Sequence, residues 1–129
     1  DESLRHAAAR RQFGRPLAEF QAIRMKLADM AVALEASRLL VLRAAALLDA
    51  PSSGTASLAG MRRASAMAKL FATEAAQRIV DEAVQIHGGI GVTRGSVVER
   101  LYREVRALRI YEGTSEIQRL VIARSLLKG

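Results

Sequence analysis

Arg109-Ile110-Tyr111-Glu112-Gly113-Thr114-Ser115-Glu116-Ile117-Gln118-Arg119 places a carboxylate directly before a glycine and a helix start directly after it. Gly113 frees the backbone to turn tightly, so Glu112 belongs to a short loop rather than to a helix face. Ser115 with Gln118 three residues on reads as a capping box, and Ile117, Leu120, Val121 and Arg124 continue with helical spacing. A carboxylate on such a turn, beside Tyr111, can sit in a half-apolar site where its pKa rises toward the range of a general base. The plainer reading is a glutamate that complements a helix dipole, and on spacing alone that reading is the stronger.

Two other stretches could hold an anionic ligand. Gln85-Ile86-His87-Gly88-Gly89-Ile90-Gly91 offers exposed backbone N–H groups to a phosphate. It follows a helical pattern rather than a strand, so it is not a Rossmann loop, and a helix C-cap accounts for Gly88 by itself. His87 alone reads as a capping or packed histidine. Arg10-Arg11-Gln12-Phe13-Gly14 combines guanidinium, amide and an aromatic face, which suits a dinucleotide. Taken alone it reads better as a helix end with Phe13 tucked into the core. Tyr102, between Leu101 and Val105, reads as structural.

The elements that must position these residues are helical. The 129 residues make one domain, half hydrophobic, with few aromatics and two prolines, the composition of a helical bundle. Without cysteine there is neither disulfide nor thiolate chemistry, and two histidines, His6 and His87, make no histidine-based metal site. No apolar run approaches a membrane span, and no signal-peptide pattern opens the sequence. Lys and Arg total 20 against 13 acidic residues, a net charge of +7 dominated by arginine. Guanidinium forks suit phosphate-bearing ligands, with nucleic acid as the other anionic partner, but most of these arginines fall on polar helix faces where solvation and i,i+4 pairing account for them.

Residues 1–11 read as the last turns of a helix, with Leu4, Ala8 and Arg11 on one face. Gln12 to Pro16 breaks it, and Pro16 can open the next helix. That helix runs from about Leu17 to Asp49, with Phe20, Leu27, Leu34, Val41 and Leu48 every seven residues as a seam. A second, smaller stripe of Ile23, Met30, Ser37 and Ala44 lets a neighbouring helix approach closely. Pro51 to Thr55 is a loop, and a third helix from about Leu58 to His87 should return antiparallel, ending at Gly88 and Gly89. After a loop from Ile90 to Gly95, Ser96-x-x-Glu99 is a second capping box. It opens a short helix with Val97, Val98, Leu101, Val105 and Leu108 inward, and a last helix follows from Ser115 to about Leu127. No strand-like alternation and no internal repeat appear. The class is all-α.

Together the three stretches resemble one family. Arg10-x-Gln12-Phe13-Gly14-Arg15-Pro16-Leu17 with Phe20-Gln21 resembles the acyl-CoA dehydrogenase signature at the start of the carboxy-terminal helical domain. Gln85 to Gly91 resembles that family's Gln-x-His-Gly-Gly-x-Gly loop, and Arg109 to Gln118 its Tyr-Glu-Gly-Thr catalytic segment. Order and spacing agree across essentially the whole chain. The resemblance implies an antiparallel four-helix up-and-down bundle whose first helix is largely missing, with a short extra helix, residues 1–129 being a fragment of a longer chain.

For the site, the resemblance implies that Glu112 is the base taking the α-proton of an acyl-CoA thioester while the β-hydrogen leaves as hydride to flavin N5. Gly113 would lie beside the substrate and Tyr111 near the acyl chain. Thr114, Ser115 and Glu116 would touch FAD at the N-terminal turn of the last helix. Arg10, Gln12, Phe13, Gln21, Gln85, Ile86, His87, Gly88 and Gly89 would reach FAD held mainly by a neighbouring subunit. It also implies a homotetramer built as a dimer of dimers, an electron-transfer flavoprotein or similar acceptor as redox partner, and the bacterial cytoplasm in preference to the mitochondrial matrix. His6 stands where the family usually has tyrosine, Val92 where it has an aromatic, and Gly95-Ser96 where it has Glu-Tyr. These positions bear on the acyl-chain side. The competing class is a non-catalytic basic module that grips nucleic acid or serves as an inactive assembly subunit; the intact Tyr111-Glu112-Gly113 counts against it.

Overall fold

In the computed structural model, residues 1–49 and 58–127 are described, and their elements are overwhelmingly helical. The α-helices are α1 (Glu2–Ala9), α2 (Gln21–Asp49), α3 (Leu58–His87), α4 (Val97–Val105) and α5 (Ser115–Leu127). The centre of the fold is α3. Its alanines at 64, 66, 68, 75 and 83 are buried, and a residue with high helix propensity and almost no bulk lets other helices approach from several sides. α3 accordingly packs against α1, α2, α4 and α5.

α2 and α3 are antiparallel. Ala44 near the end of α2 meets Ala64 and Ala68 near the start of α3, flanked by Leu40 and Leu47, while Lys26 at the other end of α2 pairs with Glu82. The smaller stripe of α2 makes this contact: Ile23, Met30 and Ser37 are half-buried and Ala44 is buried. The larger stripe does not form a continuous seam as expected: Phe20 and Leu27 are half-buried, but Leu34, Val41 and Leu48 are exposed. The reason is steric. The small buried alanines of α3 let α2 approach closely along the second stripe, with Leu40 and Leu47 packed beside Ala44, and this rotation of α2 leaves Leu34, Val41 and Leu48 outside the contact.

Similar corrections apply at the amino-terminal end. The buried residues of α1 are Ser3 and Ala7, whereas Leu4 is exposed. The break after α1 is a two-residue hairpin, with β1 (Arg11–Gln12) pairing antiparallel with β2 (Arg15–Pro16) around Phe13 and Gly14. Positive φ at both turn residues, 51° and 80°, is the type I′ signature, too short to show as alternation in the sequence. A 3-10 turn, Leu17–Glu19, follows, and extended backbone at Phe20 separates it from α2, which therefore begins at Gln21 rather than Leu17. The expected loop from Pro51 to Thr55 lies outside the described residues.

α3 spans the predicted residues and ends with Gly88 at φ 60°. The chain then continues as a 3-10 turn, Gly88–Val92, where a loop was expected from Ile90. Gly91 is buried in that turn, and a Cβ there would lie 2.6 Å from the Val84 carbonyl oxygen, so only glycine fits. At α4, Ser96 takes the N-cap position without a side-chain bond, and Glu99 pairs with Arg103 at 2.6 Å instead of closing a capping box. Of the residues expected inward, Val98 is buried, Leu101, Val105 and Leu108 are half-buried, and Val97 is exposed. Among the described residues no helix is long and apolar enough to cross a membrane, and no group of three metal-binding side chains assembles.

Candidate active site

Glu112 sits at φ 53° and Gly113 at φ 86°. Two successive left-handed residues reverse the chain between the 3-10 turn Arg106–Arg109 and α5. For glutamate that conformation costs on the order of 1–2 kcal/mol, and it persists only where the surroundings over-determine it. Among the described residues no backbone hydrogen bond closes the turn. Its three carbonyls are instead engaged by side chains from two helices. Lys69 of α3 donates to the Tyr111 and Gly113 oxygens at 3.2 and 2.5 Å, and Gln118 of α5 donates to the Glu112 and Gly113 oxygens at 3.3 and 3.2 Å. A Cβ at Gly113 would stand 2.7 Å from the Gln118 Nε2, so glycine serves both the φ and the wrapped amide.

Two sequence expectations change here. The cap of α5 is Thr114, whose Oγ1 accepts from the Ile117 N–H at 3.3 Å, so the capping position lies one residue before Ser115 and Gln118 binds the turn instead. Ser115 is 3 % exposed and donates its hydroxyl to Glu74 Oε1 at 2.7 Å. The Glu112 and Tyr111 side chains are exposed, so the half-apolar walls expected around this carboxylate are not made by this chain's own atoms.

Glu74 is the second anchor from α3. Besides Ser115 it takes Arg109 Nε at 3.0 Å, tying both flanks of the Glu112 turn to one carboxylate. Burial pushes the Glu74 carboxyl up, but the Ser115 hydroxyl and the Arg109 and Arg119 guanidinium groups together outweigh it and hold the group below its usual range. Glu116 is also lowered, by its own backbone N–H first and then by the Thr114 hydroxyl. Neither Lys69 nor Glu74 stands out in the sequence. Their partners lie 35 to 44 residues away, and for Lys69 those partners are backbone oxygens, which carry no residue-type signal.

The other predicted residues gather at the far end of α3. The His6 and His87 rings stack at 4.2 Å between centroids, which joins α1 to the last residue of α3, just before the Gly88–Gly89 turn. His87 Nδ1 lies 2.7 Å from the Ala83 carbonyl oxygen. The His6 pKa is lowered, first by burial and then by the neighbouring His87 and Arg10 charges. A cleft of about 380 Å³ opens here, lined by residues that include Glu2, Arg5, His6, His87 and Ile90. Phe13 is 84 % exposed rather than tucked into the core, in edge-on contact with Phe20 at 6.3 Å, and Arg15 stacks over Phe20 at 4.1 Å. Arg10, Gln12, Gln21, Gln85, Gly88 and Gly89 are all exposed, whereas the Ile86 side chain is buried in the bundle.

The structure therefore sets α1, which leads into the hairpin, against the end of α3 that leads into the glycine turn, and leaves the Glu112 turn apart from them. Lys69 and His87 are separated by 18 residues of α3, about 27 Å along the helix. The exposed set at the hairpin end fits a dinucleotide by its chemistry. Phe13 offers a bare aromatic face, Arg10 a guanidinium, and Gly88 and Gly89 backbone with no heavy atom within 4 Å of where a Cβ would stand. At the other end Thr114 and Glu116 are at or near the surface, while Ser115 is held by Glu74.

The chain matches the acyl-CoA dehydrogenase carboxy-terminal domain over residues 1–127. It is 48 % identical over 128 residues to the 3-(aryl)acrylate reductase of Clostridium sporogenes, covering 99 % of this chain and 32 % of that protein. Against the short-chain specific acyl-CoA dehydrogenase of Bos taurus mitochondria it is 51 % identical over 128 residues, covering 99 % of this chain and 29 % of the relative. The acyl-CoA dehydrogenase of Bacillus anthracis complexed with FAD superimposes with a TM-score of 0.88 at 36 % identity, covering 98 % of this chain and 24 % of that one. The chain thus spans about a third or less of the length of these relatives.

Proposed function

We propose, for a chain that belongs to the acyl-CoA dehydrogenase family and matches its carboxy-terminal domain, that it supplies the base and part of the cofactor site of a longer flavoprotein desaturating an acyl-CoA at its α and β carbons. The observation that carries the reading is the Glu112 turn. A non-glycine residue held left-handed, with every carbonyl of its turn engaged by side chains of two helices, has its backbone fixed, and with it the direction in which its carboxylate leaves the turn. Fixing a base in this way lowers the barrier to proton removal by orientation.

FAD, when bound, supplies the two-electron acceptor for the β-hydrogen. The chain's own residues do the rest. The Glu112 carboxylate takes the proton from the thioester α-carbon, which the adjacent carbonyl acidifies, and the product is the α,β-unsaturated thioester. Gly113 leaves room beside the substrate, and Tyr111 lies along the acyl chain. Thr114, Ser115 and Glu116 border the cofactor at the start of α5, with Ser115 contributing backbone rather than its engaged hydroxyl. Arg10, Gln12, Phe13, Gln21, Gln85, Ile86, His87, Gly88 and Gly89 border a second FAD, Ile86 through its backbone. The separation of about 27 Å along α3 supports this division, since one copy's hairpin end and its Glu112 turn then serve different cofactors. That arrangement calls for an oligomer, proposed as a homotetramer. An electron-transfer flavoprotein is the proposed acceptor and the cytoplasm the proposed compartment.

The test is a visible-spectrum titration of the full-length protein. Purified protein should be yellow with bound FAD, and the flavin band should bleach under anaerobic addition of a saturated acyl-CoA. A colourless protein, or a yellow one that no acyl-CoA bleaches across short, long and aryl chains, would overturn the proposal.

A further inference from the structure

We propose that Lys69 is a positioning residue for the Glu112 turn, an assignment that rests on Glu112 being the base. Lys69 is one of only three lysines in a chain whose cations are overwhelmingly arginine. It projects from the middle of α3, and its Nζ reaches the two peptide oxygens on either side of residue 112, at 3.2 Å to Tyr111 and 2.5 Å to Gly113. An ammonium group carries three donors and no acceptor, so it can hold two carbonyls at once without asking anything of the Glu112 carboxylate. Among the described residues no backbone bond closes this turn, and glutamate at φ 53° resists it. Gln118 engages the Glu112 and Gly113 oxygens from the α5 side, but α5 follows the turn directly and moves with it. Lys69 is 42 residues away in sequence and is a fixed post on the central helix. It acts on the carbonyls and only through them on the base. Removing its donors should let the turn relax toward ordinary right-handed backbone, swinging the carboxylate out of line.

The experiment uses the full-length holoprotein and three forms: wild type, Lys69→Met, which keeps the stem and removes the donors, and Lys69→Arg, which restores them. Charge-assisted bonds of this kind correspond to a fall of about ten- to a hundredfold in kcat for Lys69→Met. KM should stay within about threefold and FAD content should not change. Lys69→Arg should recover most of the loss, which generic damage to α3 would not show. In parallel, hydrogen exchange should quicken about tenfold or more in peptides covering residues 108–116 of Lys69→Met, with α2 unaffected. Unchanged exchange in that segment overturns the proposal, as does faster exchange with undiminished kcat, or an arginine form as impaired as the methionine one. If wild type itself reduces no flavin with any acyl-CoA, the dehydrogenase reading falls, and the exchange arm alone decides whether Lys69 holds the turn.

Discussion

Replacing Gly113 with alanine tests how the turn is built, and its cost can be worked from two separate terms. At φ 86° a side chain sits in the left-handed region, which costs about 1–2 kcal/mol for an L-residue. The added Cβ would also lie 2.7 Å from the Gln118 Nε2. That amide ends a flexible side chain and can withdraw, but it then releases the Glu112 and Gly113 oxygens, a loss of roughly 1 kcal/mol for two long, partly exposed bonds. The sum is about 2–3 kcal/mol against the productive turn. If the loop relaxes instead of bearing that strain, the competent fraction and the single-turnover rate of flavin reduction fall about thirty- to a hundred-and-fiftyfold. The assay is stopped-flow reduction of the full-length holoprotein in a double-mutant cycle with Gln118→Ala. Because the steric term vanishes once the amide is gone, Gly113→Ala should cost about 1 kcal/mol less in that background. An equal penalty in both backgrounds would refute the wrapped-amide account, and a wild-type rate in Gly113→Ala would refute the requirement for the turn itself.

Two further predictions concern the anchors. Glu74→Gln should lower the unfolding stability at pH 7 by about 1.5–3 kcal/mol, because Arg109 and Ser115 lose a charged acceptor. The Glu74 pKa is lowered on folding from 4.5, so this stabilisation is present above pH 4.5 and lost as pH falls through the folded-state value; the gap between wild type and variant, followed by urea unfolding, should close in acid. His6 is also lowered, from 6.5, but as a base. The unfolded chain therefore binds the proton first and stability should fall as pH drops below 6.5, a slope that His6→Gln should flatten in unfolding curves taken between pH 7 and 5.

What was legible in the sequence followed from periodicity and punctuation. α3 has the bounds its apolar spacing implies, and Gly88 ends it with positive φ as a terminal glycine should. Periodicity could not say which of two seven-residue stripes on α2 faces inward, because both repeat equally. That choice belongs to the packing against α3, whose Ala64 and Ala68 take Ala44 with Leu40 and Leu47 beside it. Leu34, Val41, Leu48 and Phe13 lie outside the core of the described residues, and apolar spacing alone does not separate them from residues inside it. Thr114 and Ser115 are both good caps by type, and the cap of α5 falls on Thr114 because the hydroxyl of Ser115 is claimed by a carboxylate 41 residues earlier. Lys69 was invisible for the same reason. Long-range bonds to backbone oxygens leave no trace in residue types.

The role of Glu112 is tested most directly by proton exchange at the substrate. Full-length wild-type protein in D₂O, mixed with a saturated acyl-CoA, should place deuterium at the α-carbon, read by mass spectrometry of recovered thioester. Glu112→Gln, with FAD still bound, should place none and should leave the flavin oxidised. Deuterium appearing at the wild-type rate in the glutamine variant would show that another group takes the proton.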